Sequence, residues 1–303
     1  MVEMNFSEAK SEVKLLLSRV DPSDLPRLIN WIRESDELDE LLSDNRKTIL
    51  QNIADDLRGR LPPDAMFPSE STVYSKMQQL CRPTLHVDSF LYDEDQVDSL
   101  CESGTMSRSF CVTCGSYRTA PLDFISHSFS IPELQFIFQT VLPDLNGRVL
   151  VDVGSRLGAV LYGGYLFSSA SQLIGLEISE EFVKLQNEIV EKYQLADRIK
   201  VLHTDVRLQE TLLQNTDVLI MNNVFEFFME PSEQVSAWRF ITQNFRKRGS
   251  LLVTVPSLHE SWKTLQMVPQ PGWVEELPVD SEVYLDRHTD SETLTQIHLY
   301  RVL

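Results

Sequence analysis

The sequence predicts a doubly wound, mostly parallel α/β sheet with a helical N-terminal extension. Five short apolar runs stand in the second half of the chain: RVLVDVG from Arg148, then QLIGLEIS, IKVLHTDV, DVLIMNN and GSLLVTVP. Runs that are apolar throughout are what parallel strands covered on both faces require. Segments of helical spacing separate most of these runs, which implies right-handed crossovers. The 303 residues, 42% of them hydrophobic, are enough for one large α/β domain plus an extension.

The N-terminal elements come first. Phe6 to Val20 places Val13, Leu16, Leu17 and Val20 at helical spacing, and Asp21-Pro22 opens a second helix with Leu25, Leu28, Ile29 and Ile32 on one face. A third runs from Glu37 to Leu61, where Pro62-Pro63 ends it. Residues 1–62 are therefore a helical region, read as a bundle or cap with room for a protein partner. Residues 63–130 form a connecting region, with a helix expected over Ser71 to Cys81, an acidic stretch (Asp93, Glu94, Asp95, Asp98) and Cys111-x-x-Cys114. Residues 131–303 are the sheet domain, entered through an apolar helix from Ile131 to Val141. Its crossover helices are expected over Ala159 to Ser168, Glu180 to Tyr193, Leu208 to Leu213 and Ser232 to Arg246. PQPGWVEELPVD and TQIHLYRVL supply a C-terminal hairpin, with the last strand closing the sheet edge.

Composition narrows the function. The net charge is -18, and an acidic surface opposes phosphate backbones, which are bound by displacing counterions with Lys and Arg. Nucleic acid is disfavoured as a partner; basic proteins and small molecules are favoured. No apolar run reaches the ~20 residues of a membrane span. The N-terminus lacks a signal-like pattern and four cysteines make no disulfide framework, so the expected compartment is intracellular, cytoplasmic or nuclear.

In doubly wound sheets, ligands bind beyond the carboxyl ends of the strands. Read in order, those ends carry Asp152-Val-Gly154-Ser155-Arg156-Leu-Gly158, then Glu177, then Asp205, then Asn222-Asn223. Gly154 and Gly158 allow a sharp strand-to-helix turn with backbone close to a ligand. Glu177 suits a pair of ribose hydroxyls, Asp205 an adenine amino group, and the asparagines offer amide donors and acceptors. Each residue also has a plainer reading, the glycines relieving a turn and the acids capping helices or ending strands in solvent.

This succession, with DVGSRLG, GLEIS, HTDV and NNVFEFF, resembles the class I S-adenosylmethionine-dependent methyltransferases, which have a Rossmann-like sheet. The resemblance covers about Leu134 to Ser257 and implies S-adenosyl-L-methionine as cofactor. It implies Asp152, Gly154, Ser155, Arg156, Gly158, Glu177 and Asp205 as its binding residues, with Asn222 and Asn223 facing the reacting methyl. One departure stands out: Arg156 takes the place of the loop's middle glycine, where its side chain either crowds the cofactor or binds a carboxylate. A nicotinamide or flavin dinucleotide is the alternative ligand, but GSRLGA lacks the G-x-G-x-x-G fingerprint.

NNVFEFF also resembles, locally, the Asn-Asn-Phe segment of histone-lysine methyltransferases lacking a SET domain, and it is not the Pro-Pro-aromatic tetrad of base-amino methyltransferases. With the acidic charge, this leans toward a basic protein side chain as acceptor, a small molecule being the other option. Phe225, Phe227 and Phe228 read as core or pocket wall. Cys111 and Cys114 have half the ligands of a zinc knuckle, to which Cys101 with Cys81 or His86 would add, so no metal is assigned. His127 precedes the sheet domain and faces the cleft or serves structure, and His203 and His259 have no evident partner. Against an active enzyme stands a binding or scaffold protein on the same fold, with Arg156 marking lost catalysis.

Overall fold

The computed structural model describes residues 6–34, 36–68, 70, 84–113, 117–226, 228–268, 270–281 and 291–303. Phe227, Cys81, Cys114 and the helix expected over Ser71 to Cys81 lie outside the described residues. The chain divides into two compact units, Met1–Ile49 and Leu50–Leu303.

The first unit holds α1 (Phe6–Arg19), α2 (Leu25–Glu34) and the start of α3 (Asp36–Arg58). Asp21 accepts hydrogen bonds from the Ser23 amide and hydroxyl and so shapes the turn between α1 and α2. Val13, Leu16 and Ile32 of the expected stripes are exposed, and so is Trp31.

In the second unit the rest of α3 buries Leu50, Ile53 and Leu57. The connecting region is irregular. Short strands β1 (Thr84–His86), β2 (Ser109–Cys111), β3 (Thr119–Pro121) and β4 (Asp123–Ile125) pair as β1 with β4 in parallel and β2 with β3 antiparallel. Between β1 and β2 lies α4 (Glu94–Glu102); Asp93 and Gln96 form its capping box, and Glu94 and Asp98 pair with Arg108. The acidic stretch is thus a helix start. Ser130 and Glu133 form a second capping box at α5 (Ile131–Phe136), whose path continues to Val141 as a π-turn.

The sheet domain alternates β5 (Val149–Val153), α6 (Ala159–Phe167), β6 (Gln172–Glu177), α7 (Glu180–Lys192), β7 (Ile199–His203), α8 (Glu210–Asn215), β8 (Val218–Asn222), α9 (Pro231–Asn244) and β9 (Leu251–Val255). It closes with α10 (Leu258–Thr264), β10 (Val274–Leu277), α11 (Ser291–Leu294) and β11 (His298–Val302). The seven strands lie in the order β10-β11-β9-β8-β5-β6-β7, with β11 antiparallel to both neighbours and β5 through β9 parallel. The order reverses at β5, which has β6 on one side and β8 on the other; this is the switch point of the sheet.

The last strand does not close the edge. β11 inserts between β9 and β10, burying Leu299, Tyr300 and Val302, whereas β10 carries Glu275 and Glu276 and takes the edge. A charged strand resists further pairing, which is what an edge needs. On one face of the sheet, Trp238, Trp262 and Trp273 pack in succession, at 5.9 and 5.7 Å between ring centroids, over Phe225 and Ile241. Trp273 is buried, with its indole N–H donated to the Phe245 carbonyl at 2.9 Å.

Candidate functional site

The turn after β5 concentrates left-handed backbone at the switch point. Gly154, Arg156 and Gly158 have φ of 71°, 45° and 84°. Glycine adopts this region without penalty, but an L side chain costs roughly 1–2 kcal/mol there. The Gly154 and Ser155 amides donate to the Leu176 carbonyl at 2.8 and 3.1 Å, pinning the turn to the end of β6. A Cβ on Gly154 would stand 2.3 Å from the Val224 methyl, and one on Gly175 would stand 2.6 Å from the Ser155 hydroxyl, so both glycines are needed for close packing.

Glu177 ends β6 directly against this turn. One carboxylate oxygen accepts the Arg156 amide at 2.9 Å and the other accepts the Ser179 amide at 2.8 Å. Burial pushes its pKa up, and those amides with the Arg156 charge pull partly back. Asp152 is buried within β5, where burial and then the Glu177 charge hold its carboxyl well above the usual range. Asp205 caps the turn after β7 and clamps Arg207, with bonds of 3.0 Å to the guanidinium Nε and 2.6 Å to Nη2. Burial opposes its ionisation, but the Arg207 bonds outweigh that and lower its pKa. Asn222 ends β8, and Asn223, with φ of 46°, donates its side-chain amide to the Asn222 side chain at 3.3 Å and its backbone N–H to Val255 at 2.7 Å.

The Arg156 side chain, 7% exposed, crosses to the connecting region. Its Nη2 donates to the Ala65 carbonyl at 2.9 Å and to Glu70 at 3.1 Å, while Nη1 lies 3.6 Å from Asp88. The guanidinium carbon sits 4.8 Å from the Phe182 ring centre and 5.8 Å from that of Phe228. Asp88 also accepts the Ser128 hydroxyl at 2.6 Å and the Phe90 and Leu91 amides. Burial raises the pKa of both Asp88 and Glu70, with Arg156 pulling back in each. Beside them, His86 Nδ1 and His127 Nε2 share a hydrogen bond at 2.8 Å, and His127 meets Phe228 edge-on at 4.9 Å between ring centres. Burial and then the Arg156 charge lower the pKa of both imidazoles.

Thus the turn, Glu177 and Arg156 come together at the switch point, with Asn222 and Asn223 at the mouth of β8, whereas Asp205 is turned to Arg207. Glu70, Asp88 and Phe182 had no assigned role in the sequence, where no spacing ties residues 65–90 to the loop, and His86, weighed there only as a further zinc ligand, pairs with His127 instead. His203 donates to or accepts from nothing in this cluster; its ring meets the Ile178 carbonyl. Cys101 is partly buried and Cys111 exposed.

The donor set suits a nucleoside cofactor bearing an amino-acid tail. Arg156 Nε and Nη1, Ser155 Oγ and Tyr162 Oη are buried without hydrogen-bond partners around the turn, and buried polar atoms left this way call for a ligand or water. Ile178, next to Glu177, is an exposed apolar surface suited to a flat base. The described cavities lie elsewhere: one of about 310 Å³ between Arg207 and Arg239, another of about 440 Å³ at Glu276 and His298.

No family model and no curated protein matches the chain. Among solved structures it is similar to an RNA methyltransferase from Salinibacter ruber in complex with S-adenosyl-L-homocysteine, at 14% identity, covering 57% of this chain and 88% of that one, with a TM-score of 0.36. It is also similar to a methyltransferase from Geobacter sulfurreducens, at 14% identity, 57% and 77% coverage and a TM-score of 0.37. The strand order of the chain stands independently of these overlaps. That order, with an antiparallel strand inserted beside the last parallel one, gives the chain the fold of the class I S-adenosylmethionine-dependent methyltransferases. Among the described residues no helix is long and apolar enough to cross a membrane.

Proposed function

We propose that this chain is an S-adenosylmethionine-dependent methyltransferase. The observation that carries the reading is Glu177 ending the second strand of the parallel sheet, held against the left-handed Gly154–Gly158 turn at the switch point. Gly154, Ser155 and Gly158 would hold the amino-acid tail along the turn, with Asp152 beneath and Arg156 at its centre. Glu177 would take the ribose hydroxyls. Asp205 would take the adenine amino group once released from Arg207.

The cofactor, when bound, supplies a methyl group already activated on a sulfonium. What remains for the protein is to orient the acceptor and exclude water. Asn222 and Asn223, at the end of β8, would orient the acceptor, since their amides can hold a nucleophile without charging it. The His86–His127 pair would be one group able to receive a proton. For the acceptor we favour a basic side chain of a protein, supported by the net charge of -18; a small molecule is the alternative.

Calorimetric titration with S-adenosylmethionine, S-adenosylhomocysteine and NAD tests this reading. Micromolar binding of the first two, weakened at least tenfold in Glu177→Gln, supports it. Binding of NAD alone overturns it. A second reading, a binding protein that has lost catalysis, is favoured by the buried Arg156 side chain; it predicts no binding of any of the three.

A further inference from the structure

We propose that Arg156 is an internal ligand of the cofactor site. Its guanidinium occupies a cation-receiving box formed by Glu70, Asp88, Phe182 and Phe228, and it must leave when a cofactor bearing a cationic centre binds. This inference rests on the methyltransferase reading above.

Charge is the first argument. Glu70, Asp88, Glu177 and Asp152 are all largely buried around the turn, and burial raises the pKa of each. A buried carboxylate either takes up a proton or stays charged beside a cation. Arg156 supplies it, between two aromatic rings that attract a cation electrostatically. S-Adenosylmethionine, with a sulfonium and an ammonium against one carboxylate, carries the same net charge.

Fit is the second. A guanidinium serving structure alone would use its fork on a carboxylate. Here Nε and Nη1 have no hydrogen-bond partner, and the residue that presents them has a left-handed φ of 45°. The unmade bonds raise the energy of the seated side chain, so a better-fitting cation can displace it, while the φ stays with the turn in both states.

Connectivity is the third. Phe182 lies in the first turn of α7, five residues after Glu177, so the box adjoins the acid that would take the ribose. The Arg156 backbone N–H holds Glu177 independently of the side chain. The guanidinium can therefore swing out while the turn stays in place. The segment it releases is the one carrying Ala65, Glu70 and Asp88.

The test measures the Kd of S-adenosylmethionine by calorimetry for the wild type, Arg156→Gly and Arg156→Asn. A site competent in about a tenth of molecules binds about tenfold more weakly than an open one. Arg156→Gly, which also suits the left-handed backbone, is expected to bind about tenfold more tightly or better. Arg156→Asn, which also tolerates the left-handed backbone and leaves Glu70 in the box, is expected to gain several-fold and decides the matter if Arg156→Gly does not fold. Amide exchange at residues 65–67 of the wild type is expected to quicken when the cofactor is added. Equal or weaker binding by both variants, with the wild type binding, makes Arg156 an anchor and overturns this inference alone. No binding by any of the folded chains overturns the cofactor reading and this inference with it.

Discussion

The backbone N–H of Arg156 and the carboxylate of Glu177 meet at 2.9 Å, fixing the middle of the turn after β5 to the acid that ends β6. The turn and the acid are thus one unit before any ligand arrives, and the carboxylate is oriented by amides that cannot move without unwinding the strand ends. Glu177→Gln keeps one acceptor oxygen but places an amide N–H against a donor. It is expected to cost about 1–3 kcal/mol of unfolding free energy, measured by urea denaturation.

Gly154 and Val224 make the closest approach in the site. Gly154→Ala meets a left-handed backbone and the Val224 methyl at 2.3 Å together. A loss of about 2–4 kcal/mol is expected from strain and overpacking combined. Val224→Ala in the same chain removes the clash and leaves the backbone penalty, so the double variant should be more stable than the sum of the single losses predicts.

Asp88 is buried with the Ser128 hydroxyl, two amides and Arg156 all directed at it. Asp88→Ala leaves the buried guanidinium with Glu70 as its one carboxylate and frees two amides and a hydroxyl, and is expected to cost about 1–3 kcal/mol. Adding Arg156→Met removes the guanidinium charge and should recover a measurable part of that loss. Chemical denaturation of the four chains gives the coupling.

The His86–His127 pair sets a pH dependence. Both imidazoles have folded pKa values below the ordinary 6.5, because burial and then the Arg156 charge disfavour the imidazolium; for His86, Asp64 pulls the other way. A depressed histidine contributes stability that is present above about 6.5 and lost as pH falls, since the unfolded chain then binds more protons. The raised carboxyls of Asp88, Glu70 and Glu177 act in the opposite sense at lower pH. They are common to wild type and His127→Gln, so the difference isolates the pair. The melting temperature of the wild type should fall more steeply from pH 7 to 5.5 than that of His127→Gln.

Much of the sheet was legible in the sequence because its strands are buried on both faces, and that burial writes itself as unbroken apolar runs such as Val149 to Val153. The residues at their carboxyl ends followed from order alone. The place of β11 did not, because pairing partners are set by which strand tolerates the edge, and the charges of Glu275 and Glu276 decide that only once both strands compete for it. The Arg156 cluster was legible at one residue only, the arginine standing where a glycine was expected. Its partners at positions 65, 70 and 88 are brought in by long-range folding of an irregular segment that has no periodicity to read. The His86–His127 pair was hidden for the same reason, since it depends on the parallel pairing of β1 with β4.

The most direct measurement is a crystal structure of the chain grown with S-adenosylmethionine. The nucleoside is expected beyond the carboxyl ends of β5, β6 and β7, with its ribose on Glu177 and the Arg156 side chain withdrawn from Glu70 and Asp88. The ligand bound elsewhere, or crystals at saturating ligand with Arg156 still seated between Phe182 and Phe228, would contradict it.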